Sequence, residues 1–397
     1  SYALRAQETV GEHGEATLQT VEVTAHPVHA SQSQLQRSRE AFTASRSISS
    51  SDGSSLSAMS PANKGDALRY SVTGMMNQPG NGDRFGGGTK VRTFGDWGAA
   101  KSINGLPAYT SSDQEGGGYS NTFIPAIAIS TINVHKGGQA VGYGDGTDGG
   151  VVEYRLKSGR DLTDHRLLSF DASSVGEVLG QFEAGDHAER WDYYVAGSAM
   201  NGDYDGDPAN LQRQSVRDVL GNFGWNFNES VRGELLVIRD TSRPDIIRNG
   251  AVESITSREN LASALLDVAL DDERSLRFGY LRTDSRAEWA ARNRDRSIDN
   301  DILFVDHHLG ADLGKGVRYD GKLGIEHKRT EYLRDQQWHN TFRDLSLKSE
   351  NSFVFDDNLA LNAGARYTRF DNHIKLNGVT QADNLKDDTV FAYTLGA

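Results

Sequence analysis

The fold class the sequence predicts is an all-β transmembrane barrel preceded by a small N-terminal mixed α/β domain, and three observations predict it. From about residue 161 onward apolar and polar residues alternate with period two through segment after segment, as a strand with one apolar face does. The connections between those segments alternate too: short polar turns on one side, long polar excursions on the other, the pattern of barrels whose turns face one compartment and whose loops face another. No apolar run reaches the ~18 residues a membrane-spanning helix needs, so a helical membrane protein is excluded.

Composition narrows the class further. The chain has 397 residues, 37% of them hydrophobic, with 43 Gly and only 7 Pro, which suits many strands joined by turns. It contains no Cys, which removes disulfides and thiolate chemistry and agrees with an exported bacterial protein. A net charge of -13 argues against nucleic acid as a partner, because such a partner requires a basic face. No secretory leader stands at Ser1, so a mature or cut chain is expected.

Taken in order, residues 1–60 form a polar segment rich in Ser, Gln, Glu and Thr that buries too little to fold alone. Inside it lies one apolar alternation over residues 18–25, LQTVEVTA, which strand propensity reads as a short edge strand. Residues 61–160 read as a small mixed domain with short strands and long Gly-rich loops. Its end, residues 136–159, is KGGQAVGYGDGTDGGVVEYRLKSG: a dense turn feeding an alternating strand in which Val152, Tyr154 and Leu156 face one way and Glu153, Arg155 and Lys157 the other. Gly144, Gly146 and Gly149 spell the dinucleotide fingerprint, but that fingerprint needs a helix opening at the last Gly, and the chain there runs with period two instead.

Those residues carry a resemblance. Lys136, Gly137, Gly142, Tyr143, Gly144, Gly149, Gly150, Val151, Val152 and Lys157 match the motif that closes the plug domain of TonB-dependent outer-membrane receptors. Three further segments resemble plug motifs in order: residues 67–74 (ALRYSVTG), residues 103–107 (INGLP, with Asn where the family has Asp) and the strand over residues 127–135. Val91 to Gly95 stands where the family has an Arg-Gly motif, with Gly two places late. The resemblance implies a bacterial outer-membrane receptor, and it gives the N-terminal alternation a second reading. Thr20, Val21, Glu22, Val23, Thr24 and Ala25 are similar to the TonB box, which the inner-membrane energy-coupling protein TonB captures by strand addition.

Beyond residue 161 the alternation is clearest in three places. Val219, Gly221, Phe223, Trp225 and Phe227 oppose Leu220, Asn222, Gly224, Asn226 and Asn228; Val317, Tyr319, Gly321, Leu323 and Ile325 oppose Arg318, Asp320, Lys322, Gly324 and Glu326; Leu359, Leu361, Ala363, Ala365 and Tyr367 oppose Ala360, Asn362, Gly364, Arg366 and Thr368. A soluble sandwich shows the same dyad, so alternation alone leaves the environment open. Short turns are expected near residues 187–189, 228–230, 271–274, 314–316 and 356–358, and long excursions at 201–217, 241–258, 286–301, 329–343 and 371–388. That gives about eleven full strands and the start of a twelfth over residues 161–397, where plugged transporters close with about 22. The chain is therefore expected to be the N-terminal portion of a longer receptor, because a half barrel would leave unsatisfied edges in lipid.

Candidate sites come from the same resemblance. The ligand, by analogy with ferric-siderophore receptors, meets the plug apex, where Arg84, Phe85, Trp97, Tyr109 and Tyr119 offer cationic and aromatic groups to a bulky anionic ferric chelate. Vitamin B12, haem, other metal chelates and glycans remain open as ligands, as do a porin-like and a non-transporting surface barrel. Asp203, Asp205 and Asp207 lie in an acidic loop with partial calcium-loop spacing, but Gln212 stands where the bidentate carboxylate belongs, so a solvated turn is the favoured reading and Ca2+ the weaker one. No other cofactor is expected. There is no catalytic signature: no Gly-x-Ser-x-Gly, no His-Glu-x-x-His, and His307 and His308 fall on opposite faces of one strand. Outer-membrane lipid and lipopolysaccharide complete the expected partners.

Overall fold

The computed structural model describes residues 48–52, 75–77, 89–91, 99–107, 124–136, 140–144, 150–172, 176–203, 211–248, 250–335, 337–355, 359–381 and 388–396. Within the N-terminal part, β1 (Ile48–Asp52), β4 (Ala99–Ile103), β5 (Leu106–Pro107), β6 (Ile129–Lys136) and β7 (Gly150–Leu156) form one sheet in the order β1-β6-β7-β4-β5. A two-stranded ribbon of β2 (Met75–Asn77) and β3 (Thr89–Val91) stands apart from it. β6 and β7 are antiparallel, whereas β4 and β7 are parallel. The β4–β5 hairpin turns on Asn104 and Gly105, both at positive φ (51° and 82°), the Asn-Gly pairing that a two-residue hairpin favours. The Asn104 side chain then accepts the Leu156 N–H at 2.9 Å, which fixes the hairpin to the end of β7.

β7 is the strand predicted after the glycine-rich turn, and Val152, Tyr154 and Leu156 are buried as expected. Val151 and Glu153 are buried as well, because β7 is a central strand covered on both sides. Before it comes a single helical turn, α1 (Ala140–Tyr143), and from Gly150 onward the chain is strand, so no helix starts where a dinucleotide would need one.

Residues 165–396 form one antiparallel sheet. Its long strands are β8 (His165–Ala172), β9 (Glu177–His187), β10 (Trp191–Asp203), β11 (Leu211–Asn226), β12 (Val231–Arg248), β14 (Thr256–Ala269), β15 (Arg274–Trp289), β16 (Arg294–Gly314), β17 (Val317–Arg334), β18 (Trp338–Phe355), β19 (Leu359–Leu376) and β21 (Asp388–Gly396). Each pairs with the next in sequence, while the short β13 (Ala251–Ser254) and β20 (Val379–Thr380) fold back on β12 and β19. The sheet is open among the described residues: β8 pairs with β9 alone and β21 with β19 alone.

The alternation predicted from the sequence is present, and its polarity is that of a membrane wall. Val219, Phe223, Trp225, Phe227, Leu323, Ile325, Leu359, Leu361 and Tyr367 are exposed, whereas Asn222, Asp320, Glu326, Asn362, Arg366 and Thr368 on the opposite face are buried. Large apolar side chains facing outward and charges facing inward would be a liability in water. In a bilayer it is the required arrangement.

Four of the five expected short turns join consecutive strands, at residues 187–189, 228–230, 271–274 and 314–316, while residues 356–358 lie outside the described ones. Side-chain chemistry explains three of them. Asn228 accepts the N–H groups of Ser230 and Val231 (both 2.8 Å), Asp271 those of Glu273 and Arg274 (3.0 and 2.7 Å), and Asp312 that of Gly314 (2.7 Å). The long excursions are different. Most of residues 286–301 and 329–343 is strand, β16 pairing with β15 and β17 with β18, and among the described residues only 290–293, 335 and 337 break the ladder. Strand ends that stand beyond the hydrocarbon are polar on both faces, so they lose the period-two signal while keeping every ladder hydrogen bond.

The two-faced wall can be tested on its outer side. Leu347 is half exposed between Ile325 and Tyr367 on the outward face, so Leu347→Arg should cost about 2–4 kcal/mol, while Thr341→Arg, six residues further toward the excursion end, should cost about 1 kcal/mol or less. Chemical denaturation of the protein in lipid vesicles measures both. At the turn, the Arg274 side chain and the Glu273 N–H hold the Asp271 carboxyl below its ordinary range. Its contribution is full at neutral pH and is lost as pH falls through the lowered pKa, so Asp271→Asn should abolish acid-induced opening of this hairpin, read by hydrogen exchange.

Candidate functional site

The chain leaves the N-terminal sheet at Leu156 and enters the wall at His165 through a short 3₁₀ turn, Gly159–Asp161, capped by the Ser158 hydroxyl accepting the Arg160 N–H at 3.3 Å. The link lies hard against β10. A Cβ on Gly159 would sit 2.2 Å from the Tyr193 carbonyl oxygen, so no other residue fits without moving backbone. Charges fasten the same place. Lys157 donates to both oxygens of Glu183 (3.0 and 2.8 Å), and Glu183, buried, also binds Tyr194 Oη at 2.5 Å and His165 Nε2 at 2.8 Å. Arg160 lies 3.6 Å from Asp192 and 3.4 Å from Glu234. Burial, with Arg232 nearby, lowers the Arg160 pKa, and Glu234 and Asp192 oppose that shift.

Above this anchor the N-terminal sheet and the wall share one apolar cluster. Ile103, Leu106, Ile124, Ala128, Ile129, Ile132, Val134, Val152, Tyr154 and Leu156 pack with inward-facing Tyr194, Ala196, Leu220, Leu236, Ile238, Leu261, Leu281, Ile302 and Phe304. The wall's contribution is a register effect: Ala196, Leu220, Ile238 and Leu261 are successive cross-strand partners on β10, β11, β12 and β14. Tyr154, fully buried in this cluster, has its phenol pKa pushed up by desolvation.

Three inward-facing rows nearer the short turns, the inner wall changes character. Arg232, Asp267, Arg277, Asp306, Gly324, Lys348 and Arg366 are successive partners from β12 to β19. Arg277 binds Asp267 through two bonds (2.6 and 2.8 Å), and Lys348 reaches Asp306 at 3.2 Å and Glu326 at 3.6 Å. Arg366 donates to Glu326 at 2.6 Å, and Lys322 pairs with Glu350. Gly324 makes room for the Lys348–Asp306 pair, since a Cβ there would meet Asp306 Oδ1 at 2.2 Å and Lys348 Cε at 2.5 Å.

Between this charged wall and the N-terminal sheet lies a cavity of about 120 Å³. His135, Glu153, Arg155 and Tyr143 line it from the sheet side; Arg277, Asp306, His308, Lys322, Lys348 and Glu350 are among its wall residues. His135 Nε2 is 3.2 Å from Glu153, and its ring lies 5.7 Å from that of Tyr143. His308 is buried and lines the cavity while His307 points to the other face, as their spacing requires.

The residues singled out from the sequence fare differently. Thr20 to Ala25, Arg84, Phe85, Trp97, Tyr109, Tyr119, Asp205 and Asp207 lie outside the described residues. Asp203 ends β10, exposed, with Arg213 Nε 3.4 Å away, and no group of three His, Asp or Glu able to hold a metal occurs among the described residues. Sequence reasoning misses the anchor and the charged row as sites. Their members stand on the predicted polar faces, Lys322 and Glu326 on one strand and Arg366 on another, but nothing in one strand's pattern tells which residues of the next will face them.

Comparison with known proteins identifies the class. Residues 40–151 match the family model of the TonB-dependent Receptor Plug Domain. Sequence comparison with curated proteins returns no match. Solved structures of the same fold include the siderophore receptor PiuA from Acinetobacter baumannii (10% identity, TM-score 0.67, covering 88% of this chain and 61% of that one). BauA, the ferric preacinetobactin receptor of the same organism, gives 13%, 0.68, 88% and 60%, and the closed form of the ferric-catecholate import receptor Fiu from E. coli gives 12%, 0.70, 88% and 63%. The chain thus spans about three-fifths of the length of these structures. Residues 40–151 thus match the plug domain of the TonB-dependent receptors, and the chain shares the fold of their solved structures, bacterial outer-membrane β-barrels: the N-terminal sheet corresponds to their plug and the open sheet to a run of their barrel wall.

The buried ion cluster gives a direct test of the wall. Removing Glu326 leaves Lys348 and Arg366 buried with one fewer counter-charge, so Glu326→Ala should destabilise the barrel by about 3–5 kcal/mol. Glu326→Gln, which keeps an acceptor for Arg366, should cost less; urea unfolding followed by heat-modifiable gel mobility ranks the two.

Proposed function

We propose that this protein imports a scarce ligand, a ferric chelate before other classes, across the outer membrane by TonB-dependent active transport. The observation that carries this reading is the plug match over residues 40–151 joined to a barrel wall whose inner face packs on the matched sheet. A filled lumen leaves no diffusion path, so passage requires the plug to be moved. The solved receptors of like fold are described as siderophore, ferric-catecholate, ferric citrate and hemophore receptors, which favours an iron-bearing ligand, a ferric chelate or haem, over vitamin B12 or a glycan. In this reading the protein is a receptor and transporter, not an enzyme. Arg84, Phe85, Trp97, Tyr109 and Tyr119 receive the ligand, and Thr20 to Ala25 add as a strand to TonB.

Uptake of radiolabelled ferric siderophores by iron-starved cells, with this receptor as their sole route, tests the reading. The expected result is uptake that stops on adding a proton uncoupler or on deleting residues 20–25, with surface binding of the chelate retained. Uptake indifferent to both treatments would mean a passive pore. Binding without any uptake would mean a non-transporting surface protein.

A further inference from the structure

On the side away from the short turns, the strands from β12 to β20 run on above the apolar band as hairpins that close in tight turns. Asn293 (φ 49°) turns the chain between β15 and β16, Asp335 (φ 52°) between β17 and β18, and Asn377 with Gly378 (φ 51° and 78°) between β19 and β20, residue types that take this backbone at little cost. Gly250 (φ 79°) does the same between β12 and β13. Neighbouring tips are then tied together. The Asp335 N–H donates to the Asp295 carbonyl at 2.7 Å and the Asp295 N–H to Asp335 Oδ1 at 3.1 Å, so the β16–β17 ladder continues past its last strand pair, Arg296 with Arg334. In the same way the Asn377 N–H donates to the Gln337 carbonyl at 2.7 Å, beyond the last pair of β18 and β19, Trp338 with Leu376.

One joint is made by side chains instead of backbone. β14 begins only at Thr256, where its ladder with β15 stops at Glu288, and β13 pairs with β12 alone among the described residues. The β12–β13 tip and the β15–β16 tip therefore share no strand pairing. Glu253 closes that gap. It accepts from Trp289 Nε1 at 2.8 Å and from Arg292 Nε and Nη2 at 3.0 and 3.4 Å, and the Arg292 guanidinium lies over the Trp289 ring, 4.2 Å from its centre. Trp289 is buried and the Glu253 side chain only 14% exposed, so water competes little for bonds that are already strengthened by charge.

A rim that folds over a ligand needs hinges, short stretches whose dihedrals change while their neighbours stay whole, and hinges lie where bonds to adjacent elements are few. Among the described residues from β12 to β20, the one place where adjacent tips are joined by side chains alone is the Glu253 joint. We propose that this sector of the rim is a single preformed collar that stays fixed while ligand enters, and that Glu253 is the positioning residue that makes the β12–β13 hairpin part of it. The fixed wall, as opposed to a closing lid, rests on the import reading given above. The collar itself does not.

Hydrogen exchange of the purified protein, read by mass spectrometry, tests the collar. Glu253→Ala should speed exchange over residues 251–254 by about tenfold or more, what loss of one charge-assisted hydrogen bond supplies, and leave residues 334–338 unchanged. Glu253→Gln, which keeps an acceptor for Trp289 and Arg292, should recover part of the protection. Should Glu253→Ala fail to assemble, Trp289→Phe, which removes the indole N–H and keeps an aromatic ring, must speed the same amides. Residues 251–254 already unprotected in wild type overturn the proposal, as does protection that survives the loss of Glu253. The chain contains no Cys, so the fixed wall has its own test: Glu253→Cys with Arg292→Cys, bridged by a short thiol cross-linker, replaces the ion pair with a covalent tie. Cells carrying the bridged protein should take up ferric siderophore as fast as cells carrying it unbridged. Uptake lost only on bridging means a moving lid and overturns the fixed wall. Absence of uptake in wild type would sink the import reading instead, and the exchange result then decides the collar alone.

Discussion

Everything in this protein answers to one constraint: inside hydrocarbon a backbone N–H or C=O has only other backbone groups to bond. A wall that meets it must be a sheet with long, unbroken register, and the long strands from β9 to β19, the short β13 apart, run over 11 to 21 residues each. The few shifts lie at strand ends, between Leu211 and Arg213 and between Asp312 and Gly314, where water can take over the unpaired groups. Side-chain chemistry is then free to differ completely between the two faces, because the ladder does not depend on it.

That freedom explains why the inner face can hold so many charges. Outside the barrel a charge meets lipid and is excluded from the band; inside it meets other charges of the same wall at fixed register distance. Arg277 with Asp267, and Lys348 with Asp306 and Glu326, are satisfied by neighbouring strands of the wall, so the row is supported by the sheet that carries it. Phe304 and Gly279 show the same logic in apolar form. They are cross-strand partners, and the ring covers the space where a Gly279 Cβ would stand, within 2.1 Å of Phe304 Cζ.

How much of this is legible in the sequence depends on which signals are local. Period-two alternation at Val219 to Phe227 or Val317 to Glu326 is written within ten residues, so strand and face can be read; the turn at Asp271 is written within four. The plug boundary is legible because a dense run of glycines leads into Val151 and Val152. Pairing is not local. That Arg258 faces Arg286, or that Glu326 sits among Lys348 and Arg366, depends on register accumulated over intervening hairpins, each hidden by a turn whose length the sequence gives only to within a few residues. The polar stretches over residues 286–301 and 329–343 read as loops for a related reason: the signal for a strand is its apolar face, and a strand standing in water has none. The proposed ligand floor and the TonB box rest on resemblance, since neither lies among the described residues.

The seam between plug and wall is uneven, and the unevenness has a direction. Toward β9 to β12 the plug is held by ion pairs that cross the seam, Lys157 to Glu183 and Arg160 to Asp192 and Glu234, beside the covalent link at Gly159. Toward β15 to β19 the strong ion pairs are made within the wall, and a cavity intervenes. Parting the plug from the first side would strand Glu183 and Lys157 without counter-charges, a heavy cost for buried groups. Parting it from the second leaves the wall's charges paired as they were and lets water into a space already lined by polar groups. The ion pairs that cross the seam therefore gather at the plug's own exit strand, and the wall toward β15 to β19 is the one whose charges satisfy each other.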